Sequence, residues 1–154
     1  MRVAAFRDFA TPASTRAHVL VVDDRVCTLA RALRPALVRH DVEFARDAFD
    51  AIYRIDCATR PHDLIFCDLT RGDMPGPELW AYLSMTRKSA AERMVFLAST
   101  PLCSETEAFL ARVPNLCVLL PVGRAGFDAL AVRRSRKARC AWRLRSTSLK
   151  GDES

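Results

Sequence analysis

The run His18-Val-Leu-Val-Val22, followed at once by Asp23 and Asp24, is the stretch of sequence that decides the fold. After its first residue this run is apolar throughout and rich in β-branched valine, which is typical of a strand covered on both faces. Strands of this kind belong to parallel sheets, because helices pack on both faces of such sheets. The two acids stand where the strand ends, so they mark one edge of the predicted sheet.

Four more apolar runs follow along the chain, and stretches with helical spacing of apolar residues separate them. The predicted strands after the first are Asp41–Ala45, Asp63–Cys67, Met94–Leu97 and Leu116–Leu120. The predicted helices lie within residues 26–37, 48–55, 79–83 and 105–112 and after Gly123. Pro35 should kink or shorten the first helix, because proline lacks a backbone donor. This alternation predicts an α/β fold of the (βα)5 type, a doubly wound five-stranded parallel sheet with flanking helices.

The composition is ordinary for a soluble globular protein: 50% of the 154 residues are hydrophobic and 27% are charged. No apolar run approaches the roughly 18 residues of a membrane helix, and residues 1–16 lack the apolar segment of a secretory signal. We therefore expect no membrane span and a cytoplasmic location. The predicted parts are a flexible arm over residues 1–16, one domain over 17–132 and a basic tail over 133–154.

The net charge of +6 lies entirely in the predicted tail. Residues 1–132 contain 16 Lys and Arg against 16 Asp and Glu, whereas residues 133–154 contain eight against two. The tail is too short for a helix-turn-helix, so nucleic acid is not an expected partner of the domain. Two interpretations of Arg133–Lys150 stay open. One is a solvated tail, and the other is a weak contact with nucleic acid, an acidic protein or an anionic membrane.

The six cysteines, at positions 27, 57, 67, 103, 117 and 140, form no CxxC pair. No histidine cluster lies near them in the sequence, so they do not have the spacing of a metal site. A chain of this length also has no need of a disulfide framework. The interpretation is that they are reduced cysteines in the core.

Three aspartates stand at strand ends and form the candidate functional site. Asp23 and Asp24 end the first strand, and Asp68 ends the third. In doubly wound sheets, ligands bind outside the carboxyl ends of the strands where the strand order reverses. If the first and third strands are neighbours, three carboxylates converge there and repel one another unless a cation intervenes. Mg²⁺ suits such oxygen ligands, whereas any single aspartate could equally be a solvated strand end.

With these residues the chain resembles the receiver domain of the bacterial response-regulator family, over about residues 17–132. Gly76, eight residues beyond Asp68, and Pro121, after the fifth strand, add to the resemblance. The resemblance implies a flavodoxin-like fold and a phosphoryl group accepted by Asp68 from a sensor histidine kinase or a phosphotransfer protein. It also implies Mg²⁺ as cofactor, held by Asp24, Asp68 and the backbone carbonyl of Thr70, with Asp23 in support.

Three positions depart from the pattern of the family. Ala98 stands where the family has Ser or Thr, Leu120 where it has Lys, and Cys117 where it has an aromatic residue. Ser99 is one residue beyond the first of these, so in an extended chain its side chain points to the opposite face. Thr100 has the right parity but lies further out. The metal site is therefore expected to be intact and the switch that reads the phosphate to be damaged.

Two functions remain open. The first is a single-domain response regulator that acts on a downstream protein target, and the second is a pseudo-receiver adaptor that binds without phosphorylation. A third, a Mg²⁺-dependent phosphohydrolase, ranks below them, because the chain offers no cap domain and no second acid–base group beside Asp68. The histidines do not supply that group, since His18, His40 and His62 lie at the opposite ends or outer parts of the strands. We therefore do not expect an enzyme.

Overall fold

The computed structural model describes residues 16–23, 37–69, 74–98 and 102–119. The strands are β1 (His18–Val22), β2 (Asp41–Ala45), β3 (Leu64–Asp68), β4 (Met94–Ala98) and β5 (Leu116–Leu119). The described ranges contain the helices α1 (Ala48–Cys57), α2 (Gly76–Thr86), α3 (Lys88–Ala91) and α4 (Ser104–Arg112). The arm up to residue 15, most of the helix expected within 26–37, the helix expected after Gly123 and the basic tail lie outside the described residues.

The five strands form one parallel sheet in the order β2-β1-β3-β4-β5. This confirms the predicted doubly wound sheet. The chain moves outward from β1 to β2 and then crosses back over β1 to form β3, so the strand order reverses between β1 and β3. In this fold the reversal opens a crevice at the carboxyl ends of these two strands.

The helix face of the sheet is the face that carries α1, α2 and α4. Its apolar cluster joins alternate strand residues with the inward side chains of the helices: Leu20, Val22, Ile65, Cys67, Phe96, Ala48, Ala51, Leu79, Leu83, Phe109 and Leu110. The opposite face carries the intervening strand residues, which are also buried: Val19, Val21, Leu64, Phe66, Val95, Leu97 and Val118, with Leu37 packed on them. Burial on both faces explains why the strands read as continuous apolar runs.

Helix α1 begins where the sequence supplies a cap. The side chain of Asp47 accepts a hydrogen bond from the backbone N–H of Asp50 at 2.7 Å. The side chain of Asp50 in turn accepts one from the backbone N–H of Arg46 at 3.0 Å. Such reciprocal bonds satisfy N–H groups that have no partner inside the first helical turn.

The cysteine prediction is only half right among the described residues. Cys67 and Cys117 are buried free thiols, as expected of core cysteines. Cys57 and Cys103 are free but exposed, because Cys57 is the last residue of α1 and Cys103 precedes α4. A cysteine at a helix terminus faces solvent unless another element packs over that terminus.

No described helix is both long enough and apolar enough to cross a membrane.

A buried polar network joins the start of β5 to the other elements of the helix face. Asn115 is 8% exposed and precedes β5. Its amide nitrogen donates to the carbonyls of Ala91 and Met94, both at 2.8 Å. Its amide oxygen accepts from the indole N–H of Trp80 in α2 at 2.9 Å. One side chain therefore positions α2, the turn before β4, and β5 relative to one another.

We expect Asn115→Ala to destabilise the fold by about 1–3 kcal/mol, because it leaves buried donors and acceptors without partners. Urea unfolding measures this loss, and in a Trp142→Phe background the emission of Trp80 should shift as well. Ser84→Ala is the matched control, since it removes an exposed hydrogen bond to the Ala81 carbonyl and should change stability by no more than about 0.5 kcal/mol. Equal losses in the two variants would contradict the proposed role of Asn115.

Candidate functional site

Asp23 and Asp68 lie at the carboxyl edge of neighbouring strands. Val22 of β1 pairs with Cys67 of β3. Asp23 and Asp68 directly follow these paired residues, so they are neighbours at the carboxyl edge. Asp23 is 3% exposed, and its backbone N–H donates to the carbonyl of Ala45 at 3.1 Å. Asp68 is half-buried as the last residue of β3. The structure thus brings these two predicted site residues to the same edge, at the point where the strand order reverses.

The chemistry of these residues fits a hard divalent cation. Both offer carboxylate oxygens, and the partial exposure of Asp68 leaves its side chain accessible to a ligand from solvent. Mg²⁺ in proteins is usually held by one or two carboxylates together with water and phosphate oxygens. The other two predicted ligands, Asp24 and the carbonyl of Thr70, lie outside the described residues.

Gly76 allows α2 to begin directly against the end of β3. A Cβ atom at this position would lie 3.0 Å from the backbone oxygen of Asp68 and 3.2 Å from the Cα of Leu69. Both atoms belong to the backbone that carries the candidate acceptor, so they cannot rotate away as a side chain would. The glycine eight residues beyond Asp68 is therefore required by the close approach of helix and strand.

β4 ends at Ala98, one residue beyond the predicted Met94–Leu97, and Ala98 is 1% exposed. Its methyl group belongs to the apolar cluster of the helix face, together with Phe96 and Cys117. At this position the described chain therefore offers a methyl group in place of a hydroxyl. Ser99, Thr100, Leu120 and Pro121 lie outside the described residues.

Cys117 lies in the interior of β5, at the position where the resemblance places an aromatic residue. It is 5% exposed, and burial raises the pKa of its thiol to about 11. The thiol is therefore protonated at neutral pH and packs as a small apolar group. The aromatic side chains nearby come from other elements, with Phe109 of α4 in edge-to-face contact with Phe96 at 5.3 Å and with Trp80 at 5.9 Å between ring centroids.

A second group of polar side chains, at the opposite edge of the sheet, did not emerge from the sequence as a site. His18 begins β1, Glu43 lies within β2 and His62 precedes β3, and their ligand atoms all lie within 4.8 Å of one another. The sequence predicted that the histidines lie away from the aspartates. It did not indicate that His18 and His62 share the carboxylate of Glu43. The register of β1 and β2 is what places His18 and Glu43 on the same face of the sheet.

Solved structures of receiver domains share this fold. The signal receiver domain of a putative LuxO repressor protein from Vibrio parahaemolyticus superposes with a TM-score of 0.67 at 16% identity, covering 84% of this chain and 98% of that one. A response regulator receiver protein from Pseudomonas putida gives a TM-score of 0.65 at 20% identity, covering 79% and 99%. The chemotaxis protein CheY4 from Vibrio cholerae gives 0.58 at 22% identity, covering 79% and 98%.

The chain therefore has the fold of response regulator receiver domains. This confirms the resemblance that the sequence predicts from Asp23, Asp68 and Gly76, and it confirms the flavodoxin-like strand order. No protein-family model matches the chain, and no curated protein sequence matches it. At identities of 22% or less the likeness establishes the fold alone.

We expect Gly76→Val to destabilise the protein by about 1–3 kcal/mol, because its side chain overlaps the backbone at Asp68 and Leu69. Denaturant unfolding of this variant measures the loss. The matched control is Ala81→Val on the exposed side of the same helix. This variant should lose only about 0.5 kcal/mol of stability, because valine has a lower helix propensity than alanine. A loss at Gly76 no larger than that at Ala81 would show that the contact does not constrain the helix.

Proposed function

We propose that this protein is a single-domain response regulator that accepts a phosphoryl group on Asp68 and signals by binding another protein. The observation that carries the proposal is the position of Asp68. It ends β3 beside the end of β1, where Asp23 stands, in a sheet with the strand order of receiver domains. The partners proposed are a sensor histidine kinase or a phosphotransfer protein upstream, and a downstream protein target.

In the proposed reaction a carboxylate oxygen of Asp68 attacks the phosphorus of a phosphohistidine. The P–O bond to Asp68 forms as the P–N bond breaks, and the imidazole leaves with that electron pair and takes a proton from solvent. Asp68 is suited to this role because it is half-buried at a strand end, where its position is fixed by the sheet and a donor can still reach it. Bound Mg²⁺ would neutralise the charge that develops on the transferring phosphoryl oxygens.

The chain's own residues would hold that cation through oxygen atoms. We assign Asp24, Asp68 and the backbone carbonyl of Thr70 as ligands, with the buried Asp23 orienting the site through a hydrogen bond or a water. Two carboxylates at one edge repel each other, and a divalent cation removes that cost. Phosphorylation should therefore depend on Mg²⁺.

The readout of phosphorylation is expected to be weak, because the groups that would couple the phosphate to β4 and β5 are apolar here. The Ala98 methyl group lies in the core cluster, and the thiol of Cys117 is buried and protonated at neutral pH. Leu120 offers no ammonium group for a charge-assisted bond to the phosphate. A modification shifts a conformational equilibrium only by its differential contacts with the two states.

This same observation favours a second candidate, a pseudo-receiver adaptor that binds its partner without phosphorylation. Under either function the proposed domain covers residues 17–132, with an arm before it and a basic tail after it. We propose that the domain works in the cytoplasm and acts through protein contacts rather than through catalysis on a substrate. For Arg133–Lys150 we keep the weak electrostatic contact proposed from its charge.

Incubation with acetyl phosphate and Mg²⁺ tests the acceptor. Intact mass spectrometry should show one added phosphoryl group on the wild type and none on Asp68→Asn or after chelation of Mg²⁺. Asp56→Asn, an exposed acid in α1, is the control and should be modified like the wild type. An unmodified wild type would favour the adaptor, and modification that persists in Asp68→Asn would show that another residue is the acceptor.

Beryllofluoride, a phosphate analogue, tests the readout. In the wild type we expect amide shifts in the backbone around Asp68 and little change around Cys117 or in α4. The double variant Ala98→Thr with Leu120→Lys should extend the changes across β4, β5 and α4, because it supplies a hydroxyl and an ammonium group that contact the analogue. Widespread shifts in the wild type would instead mean that the switch is intact.

A further inference from the structure

His18, Glu43 and His62 form a compact group, called here the His-Glu-His group, at the amino end of β1 and β3. The two histidines are 6% and 3% exposed, whereas the side chain of Glu43 is 36% exposed. The imidazole rings stack with their centroids 4.1 Å apart. The Nε2 atom of His18 lies 3.0 Å from Oε1 of Glu43, and that of His62 lies 3.6 Å from Oε2. Both rings thus direct the same nitrogen at one carboxylate.

The hydrogen bonds of His18 leave its Nε2 atom in conflict if the ring is neutral. Nδ1 lies 3.1 Å from the backbone carbonyl of Arg60, which can only accept, so Nδ1 carries a hydrogen. In a neutral imidazole Nε2 then has a lone pair. That lone pair would face Oε1 of Glu43, another acceptor, at 3.0 Å. Either a proton or a metal cation must lie between these two atoms.

His62 adds an independent observation. Its Nε2 atom is buried and has no hydrogen-bond partner among the described residues. Burial, and then the charge of His18, lower the pKa of this ring. Histidine binds metals as the neutral imidazole. A buried ring nitrogen directed at a carboxylate without a hydrogen bond is a costly arrangement unless a ligand completes it.

The backbone holds the two histidines in place. The backbone N–H of His18 donates to Oδ2 of Asp63 at 2.8 Å, and the backbone N–H of Asp63 donates to the carbonyl of His18 at 2.7 Å. The carbonyl of His62 accepts from the guanidinium of Arg93 at 3.2 Å. Because these bonds join the start of β1 to the residues before β3, the spacing of the rings is set by the sheet.

We propose that the His-Glu-His group binds Zn²⁺ through Nε2 of His18, Nε2 of His62 and a carboxylate oxygen of Glu43. Two histidines and a glutamate are an established protein ligand set for zinc, with water in the fourth position. The bond from Nδ1 of His18 to the Arg60 carbonyl is the outer interaction that a metal-bound histidine usually makes. Glu43 provides the open side of the site, because it is the exposed member of the three.

Positive charges around the His-Glu-His group limit its affinity for Zn²⁺. The competing explanation for the group is an ion pair without a metal. Arg54 of α1 lies 3.7 Å from Oε2 of Glu43 and also pairs with Asp50 at 3.0 Å, so it can turn away from Glu43 without losing its other partner. Arg93 adds a second positive charge near His62. Without a metal, a proton between Nε2 of His18 and Oε1 of Glu43 would hold the same contact. The test must therefore separate metal binding from an ion pair.

Isothermal titration of the full-length protein with Zn²⁺, after blocking exposed thiols with iodoacetamide and with Mg²⁺ present, gives the affinity and stoichiometry. We expect one site in the wild type and an affinity at least roughly tenfold weaker in Glu43→Gln and in His62→Gln, since each loses a ligand. Asp68→Asn is the matched control and should bind Zn²⁺ as the wild type does, because it lies at the other edge of the sheet. Circular dichroism without metal checks that each variant is folded.

A wild-type measurement keeps the proposal testable if the variants do not fold. Zn²⁺ should shift the ring-nitrogen resonances of His18 and His62 but not that of His40, whose Nδ1 accepts from the backbone N–H of Ala17. Co²⁺ in place of Zn²⁺ should give the visible absorption of a four-coordinate site. No binding by the wild type, wild-type affinity in Glu43→Gln and His62→Gln, or loss of binding in Asp68→Asn would each overturn the proposal and leave a hydrogen-bonded contact between His18 and Glu43 without a metal.

Discussion

The parallel pairing of β1 with β2 on one side and β3 on the other is the constraint on which the rest of the structure depends. It places strands that are distant in the chain side by side and buries β1 on both faces. Parallel neighbours need long crossover connections, so helices cover the sheet and its two ends become unlike. The carboxyl edge collects Asp23 and Asp68, while the amino edge collects His18 and His62.

The two edges differ in what they offer to a ligand. At the carboxyl edge the aspartates stand at the ends of their strands, and Asp68 is half-buried. At the amino edge both histidines are almost completely covered and only Glu43 reaches the surface. The first arrangement is the one proposed for phosphoryl transfer, and the second is the one proposed to hold a small ion. No described residue belongs to both groups.

On the helix face, Ala98 and Cys117 occupy positions where the resemblance to receiver domains implies a hydroxyl and an aromatic side chain. Ala98 and Cys117 are part of one continuous apolar cluster with Phe96 and Phe109. Packing of this kind stabilises the fold, and the side chains of this cluster carry no charge. The network of Asn115 with Trp80 also ties β5 to α2 at the amino side of β4. Stability on this face therefore comes from apolar packing and from the hydrogen bonds of Asn115.

The sequence by itself determined the fold and one edge of the sheet, because those signals are local. A buried parallel strand is an unbroken apolar run, and an acid directly after it must lie at the carboxyl edge. The sequence therefore predicted the positions of Asp23 and Asp68. The same strand pattern placed Ala98 at the end of the fourth strand. The sequence placed the start of β3 at Asp63 and Cys57 in the core, whereas β3 begins at Leu64 and Cys57 is exposed. Both errors arose where neighbouring elements decide which residues are buried. Only the tertiary structure brought His18, Glu43 and His62 together. Their meeting depends on the register between β1 and β2 and on the turn before β3, which long-range packing sets.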